Sequence, residues 1–138
     1  VIAVLLLLLA QPDANAAAAT EALDDCADPQ AQQEMNRCAY LDFQSADAAL
    51  NEEWATTVAA MKAADAEIDR EYDQQPGHYE TLLEGQRAWL KYRDAQCLME
   101  SFEARGGSMQ PMLENFCMTY LTELRIQQLR LMTAGPER

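Results

Sequence analysis

Two short breakers constrain what this chain can fold into more than any other feature. They are Asp73 to Gly77 ("DQQPG") and the pair Gly106-Gly107, and between them apolar residues recur every three or four positions. Ahead of the first breaker, Met35, Ala39, Phe43, Ala46, Leu50, Trp54, Val58, Met61 and Ile68 form one such stripe. The spacing predicts a helix from about Gln30 to about Tyr72, with Asp28 as its cap and Pro29 in the first helical position. A second helix is predicted from about His78 to Arg105, ended by the glycine pair. A third runs from near Pro111 to about Thr133, capped by Ser108 or Gln110. Its predicted stripe is Leu113, Phe116, Cys117, Tyr120, Leu121, Leu124 and Gln128. No stretch alternates with period two for long enough to make a strand. The expected fold is all-α, a small antiparallel bundle of about three helices joined by short turns.

The N-terminus reads differently. Residues 1–10 ("VIAVLLLLLA") are all apolar, and Ala14-Asn15-Ala16 follows as a small-x-small site. This is the pattern of a secretory signal peptide cleaved after Ala16. Neither Met nor a basic residue precedes the apolar run, so the chain is expected to start inside the leader, past its n-region. A stable membrane span needs about 20 apolar residues, which this run does not supply. No small-residue lipobox precedes Cys26 ("LDDC"), so lipid anchoring is not expected. The expected organisation is a leader over 1–16, an N-terminal segment over 17–29, a helical domain over 30–133 and a tail over 134–138.

An export signal places the four cysteines, Cys26, Cys38, Cys97 and Cys117, in an oxidising compartment, periplasmic or extracellular. There is no C-x-x-C, and His78 is the single histidine, so neither a zinc site nor a thioredoxin-type motif is expected. Four cysteines allow three pairings. Cys97 lies ten residues before Gly107 and Cys117 ten after it, which sets them at one height on facing helices. Counted back from its breaker, helix one puts Cys38 on the order of 20 Å from the height of Cys97, well beyond the roughly 7 Å a disulfide tolerates, whereas a segment folded back on its first turns could join Cys26 to Cys38. The expected pairs are therefore Cys26–Cys38 and Cys97–Cys117.

The most conspicuous stretch is "QRAWLKYRDAQC", Gln86 to Cys97. At about 100° per residue with Gln86 as zero, Cys97 falls near 20°, Leu90 near 40°, Arg93 near 340° and Trp89 near 300°. Gln86 and Arg93 thus sit inside the apolar stripe, while Arg87, Lys91 and Asp94 fall on its rim or beyond. An inward guanidinium needs a counter-charge, because an unpaired buried charge is strongly unfavourable. Asp47, in "ADAALN", is the proposed partner, with Arg93 stacked on Trp89; Asn51 lies on the same flank, and Glu53 is the fallback. Register argues against Asp47 if helix one runs unbroken to Tyr72, since the two residues would then be about 17 Å apart in height. The pairing requires helix one to end or bend nearer Ala63. This cluster reads as a polar network that sets helix register rather than as a ligand pocket.

In order, "MNRCA" (Met35–Ala39), "ADAALN" (Ala46–Asn51), "QRAWLKYRDAQC", "GGS" (Gly106–Ser108), Cys117 and "LTELR" (Leu121–Arg125) resemble the LprI-like lysozyme inhibitor family over roughly Cys26 to Leu129. The resemblance implies an exported bacterial protein built on one small helical domain. It matches Cys26, Cys38, Cys97 and Cys117 to the family's cysteines, and Asp47, Asn51, Gln86, Trp89 and Arg93 to its signature positions. It also implies a protein partner, a cationic lysozyme, whose inhibition would protect peptidoglycan.

Charge is consistent with such a partner. The chain carries 23 acidic and 10 basic residues, and cleavage after Ala16 would remove only Asp13, leaving 22 against 10, a net of −12. Such a surface repels nucleic acid and anionic lipid and steers cationic proteins. A lysozyme cleft is itself acidic, so an inserted group should be polar or basic. The turns at Asp73–His78 and Ala104–Pro111 are the candidate contacts, with Arg105 the best single residue and His78 the other. An envelope binding or scaffolding module with a different protein partner is the competing reading. No G-x-S-x-G, H-E-x-x-H or P-loop pattern occurs, so no enzymatic activity is expected. Met99, Met109, Met112 and Met118 could suit Cu(I), but core filling is the commoner use of methionine, and no cofactor or metal is expected.

Overall fold

The computed structural model describes residues 26–134. The expected leader (1–16), residues 17–25 and residues 135–138 lie outside the described part. Three helices follow in order: α1 (Gln32–Ala66), α2 (His78–Ser101) and α3 (Gln110–Thr133), with a 3-10 turn over Phe102–Ala104. No strand occurs among the described residues. The fold is the all-α bundle that the spacing of apolar residues predicts.

Each helix boundary has a local cause. α1 begins at Gln32, later than Asp28-Pro29 suggests, because Glu34 reaches back to its start. Its Oε2 accepts the backbone N–H groups of Gln30 (2.9 Å) and Ala31 (3.1 Å), holding two donors that the first turn leaves unpaired. These two bonds hold the Glu34 carboxyl below its ordinary pKa.

α1 ends at Ala66 rather than Tyr72. Beyond it, side chains compete with the helix for backbone donors: Asp69 Oδ1 accepts from Glu71 N–H (2.9 Å), and Asp73 Oδ1 accepts from Gln75 N–H (2.9 Å). Arg70 Nη1 donates to the Gln75 carbonyl (2.7 Å), closing the loop on itself. Ile68, which seemed to extend the stripe, lies in this loop.

Asp65 then joins α1 to α2. Its carboxylate accepts the backbone N–H of His78 (2.6 Å) and Tyr79 (3.0 Å) and faces His78 Nδ1 (2.9 Å). The cap of α2 thus comes from the preceding helix, since Gly77 at the cap position has no side chain. A Cβ on Gly77 would stand 3.0 Å from Asp65 Oδ2, so a larger residue there would push the capping carboxylate back by a few tenths of an ångström.

α2 stops at Ser101 and tightens into the 3-10 turn, shorter than the predicted end at Arg105. Gly106 follows with φ 75°, a left-handed conformation in which glycine has no Cβ to clash. Gln110 secures the turn, accepting Gly106 N–H (2.8 Å) and donating to Ser101 Oγ (3.2 Å). Asn36 of α1 donates to the Ser108 carbonyl (2.9 Å) and fixes the turn against the start of the first helix.

The apolar core is small: Leu50, Leu82, Ile126 and Leu129 are buried, with Trp54, Val58, Met61 and Trp89 packed around them. α3 lies mainly along α1 and secondarily along α2. Its buried line is Thr122, Ile126 and Leu129, not the predicted stripe. Phe116 and Tyr120, the aromatics of that stripe, are 50% and 61% exposed. The reason is that α3 faces the seam between two helices. Its inward flank includes the polar Thr122, while the predicted stripe is only half-buried at Leu113, Cys117, Leu121 and Leu124. Two disulfides reinforce this core, Cys26–Cys38 with Cα atoms 5.6 Å apart and Cys97–Cys117 at 5.3 Å. Among the described residues no helix is long and apolar enough to cross a membrane.

Candidate functional site

Gln86 and Arg93 are carried on the inner face of α2, and both are buried. Because α1 ends at Ala66, the eleven residues from 67 to 77 let α2 start lower beside it, and Asp47 comes level with Arg93. The Arg93 guanidinium donates to Asp47 Oδ1 (3.1 Å) from α1, to Thr122 Oγ1 (3.3 Å) from α3 and to Asp94 Oδ1 (3.0 Å) on its own helix. Its ring partners are Trp89 and Phe43, each 5.2 Å from the guanidinium carbon to the ring centroid. One buried cation therefore ties all three helices together. Glu53, the fallback partner, instead accepts from Arg130 Nε (2.9 Å).

The charge balance explains why this arrangement is tolerable. The Arg93 side chain is 7% exposed, but its partners Asp47 and Asp94 are 40% and 60% exposed. Only the cation is desolvated. The carboxylates keep much of their hydration while their fields reach the guanidinium, which reduces the burial penalty of an enclosed ion pair. No buried side-chain N or O atom among the described residues lacks a hydrogen-bond partner.

Gln86 is bound on its other side. Its Oε1 accepts from Arg125 Nε (2.8 Å), and Arg125 Nη1 donates to Gln128 Oε1 (3.1 Å). Asp47, Asn51, Gln86 and Arg93 line a shallow hollow of ≈ 300 Å³ with Leu50, Trp54 and Leu90. The structure thus brings four of the five signature residues to one hollow, and sets the fifth, Trp89, against Arg93 and Arg125. Thr122, Phe43 and Arg125 complete the network. None was evident from the sequence, although Arg125 closes the "LTELR" motif and Gln86 required a partner.

The predicted contact residues lie at opposite ends of α2. His78 is drawn into the α2 cap by Asp65, whose carboxyl is held below its ordinary value, chiefly by the Tyr79 N–H. Arg105 sits at the other turn, exposed, with its guanidinium carbon 4.3 Å from the Phe102 ring centroid and no carboxylate partner among the described residues. Among the described residues, no group of three or more His, Cys, Asp or Glu side chains is placed to hold a metal ion.

A family model described as "Lysozyme inhibitor LprI" matches residues 13–129. The chain belongs to the LprI lysozyme inhibitor family. It is 42% identical over 113 residues to an uncharacterized protein of Rhizobium meliloti (strain 1021), covering 82% of this chain and 81% of the relative. No solved structure matches the chain.

Proposed function

We propose that this protein is an exported lysozyme inhibitor, acting by binding a cationic lysozyme rather than by catalysis and so protecting peptidoglycan in the periplasm or outside the cell. The observation that carries this reading is membership of the LprI family across most of the chain. The surplus of 23 acidic over 10 basic residues supports it, because that field accelerates encounter with a cationic partner. Encounter and insertion ask for different charges. The acidic exterior attracts the enzyme, whereas a group entering an acidic catalytic cleft should be polar or basic. Arg105 meets the second requirement. It is exposed on a glycine turn, its side chain is stiffened by the Phe102 ring, and no carboxylate neutralises it among the described residues. His78, with its ring engaged by Asp65, is the weaker contact.

The test is a cell-wall lysis assay with a cationic lysozyme, into which the purified protein is titrated at low and high salt. Lysis should slow with dose, and the effect should weaken as salt screens the attraction. Arg105→Ala should reduce inhibition while leaving the melting temperature unchanged. Absence of inhibition at large molar excess and low salt would remove the proposal for that class of lysozyme.

A further inference from the structure

The loop end of the bundle holds a second, larger hollow, formed by the last turns of α1 and α3, the loop 67–77 and the start of α2. Its volume is ≈ 520 Å³, within the range of small-ligand sites. Met61, Ile68, Leu82 and Met132 supply apolar walls, and Arg125 supplies a cation. His78 and Asp73 also line it, but both are engaged, His78 Nδ1 by Asp65 and Asp73 Oδ1 by the Gln75 N–H.

Two observations point to an occupant. The first is the company Arg125 keeps. Acids outnumber bases by more than two to one in this chain, and the other deeply set guanidinium, Arg93, has two carboxylates. Arg125 is half-buried and no carboxylate pairs with it among the described residues; neutral amides of Gln86 and Gln128 hold it instead. Two of its five N–H donors are used, which leaves the remainder for another acceptor. The Trp89 ring lies 5.8 Å from its guanidinium carbon, and burial pushes its pKa down.

The second observation is Gly85. It lies in the interior of α2, where glycine is less favourable than alanine because it loses more backbone freedom on folding. Nothing stands within 4 Å of the Cβ it lacks, and it lines the same hollow. No packing contact requires glycine there. It leaves this part of the wall without a side chain.

We infer that this hollow binds a small aliphatic carboxylate, with the carboxylate on Arg125 and the hydrocarbon along Met61, Ile68, Leu82 and Met132. A planar two-oxygen anion matches the donor fork of a guanidinium, and the apolar walls take a chain that water would leave exposed. The site is remote from Arg105, and the inference does not depend on lysozyme binding.

Isothermal titration of the purified protein with octanoate, octan-1-ol and acetate tests it. Octanoate should bind at one site, with the alcohol and acetate each weaker by at least about tenfold, because each lacks one half of the recognised pattern. Gly85→Phe, or Gly85→Leu if the first variant melts early, should abolish octanoate binding with the helical signal unchanged. Gly85→Ala should retain it. Arg125→Gln should bring octanoate down to the affinity of the alcohol. Equal binding of octanoate and octanol, full binding by the filled Gly85 variants, or no heat from octanoate at millimolar concentration would each overturn the inference.

Discussion

Replacing Arg93 by alanine should lower stability steeply, and the structure allows the size of the effect to be estimated. The side chain makes three side-chain hydrogen bonds, to Asp47, Asp94 and Thr122, and faces two rings, Phe43 and Trp89. Because the carboxylates are 40% and 60% exposed, each ionic contact contributes only about 0.5–1 kcal/mol after solvent screening. The Thr122 bond adds about 1 kcal/mol, and each ring contact about 0.5–1 kcal/mol. These terms alone come to about 3–5 kcal/mol, and the packing lost from the buried stem adds to them. In a domain of this size that corresponds to a fall in melting temperature of at least about 12 °C. Arg93→Met, which keeps the stem and leaves the carboxylates hydrated, should recover about half of the loss. Thermal melts followed by far-UV circular dichroism give the shift, and the lysis assay run well below the melting point gives activity. Inhibition should survive in folded Arg93→Ala, since the residue is buried. A shift under about 4 °C would refute the assignment of a stabilising role. Lost inhibition with unchanged melting would place Arg93 in the contact surface instead.

Three further outcomes are expected. Cys97→Ser with Cys117→Ser, which opens a 20-residue separation, should destabilise by about 3 kcal/mol, measured by urea unfolding against the intact protein. Asp65 and Glu34 have lowered carboxyl pKa values in the folded state, so their contribution is complete above the unfolded value of about 4 and is lost as pH falls through the folded one. Melting temperature should therefore drop on acidification, and Asp65→Ala should melt lower at neutral pH with a shallower acid limb; an unchanged limb would contradict the capping role. Gly85→Ala should stabilise by about 0.5–1 kcal/mol, since it removes unfolded-state freedom and meets no obstruction. A lower melting point for that variant would show a steric constraint.

The helix count, both breakers and the inward placement of Gln86 and Arg93 were legible in the sequence, because a 3.6-residue period makes an inward polar residue visible on its own helix. The height of one helix against another was harder to read. The Asp47–Arg93 contact depends on α1 stopping at Ala66, and Ile68 extends the apolar pattern past that point. What stops the helix is local competition from Asp69 and Asp73 side chains for backbone donors, which a hydrophobic pattern does not record. The stripe of α3 was misread for a related reason. Periodicity marks the most apolar flank, and in α3 that flank carries the exposed Phe116 and Tyr120, while Thr122 is buried with its hydroxyl accepting from Arg93.

By itself the sequence determined the elements, their approximate lengths and the family to which the chain belongs, since these follow from periodicity, breakers and ordered motifs along one chain. Tertiary structure decided which charges meet. Asp65 became the cap of α2, Glu53 took Arg130, and Arg125 was left with two amides and the Trp89 ring beside a hollow that Gly85 also lines. Each of these depends on how three helices are rotated and offset against one another. A shift of one residue turns a helix by about 100° and moves it by 1.5 Å, enough to exchange one partner for another without altering the pattern that predicts the helix.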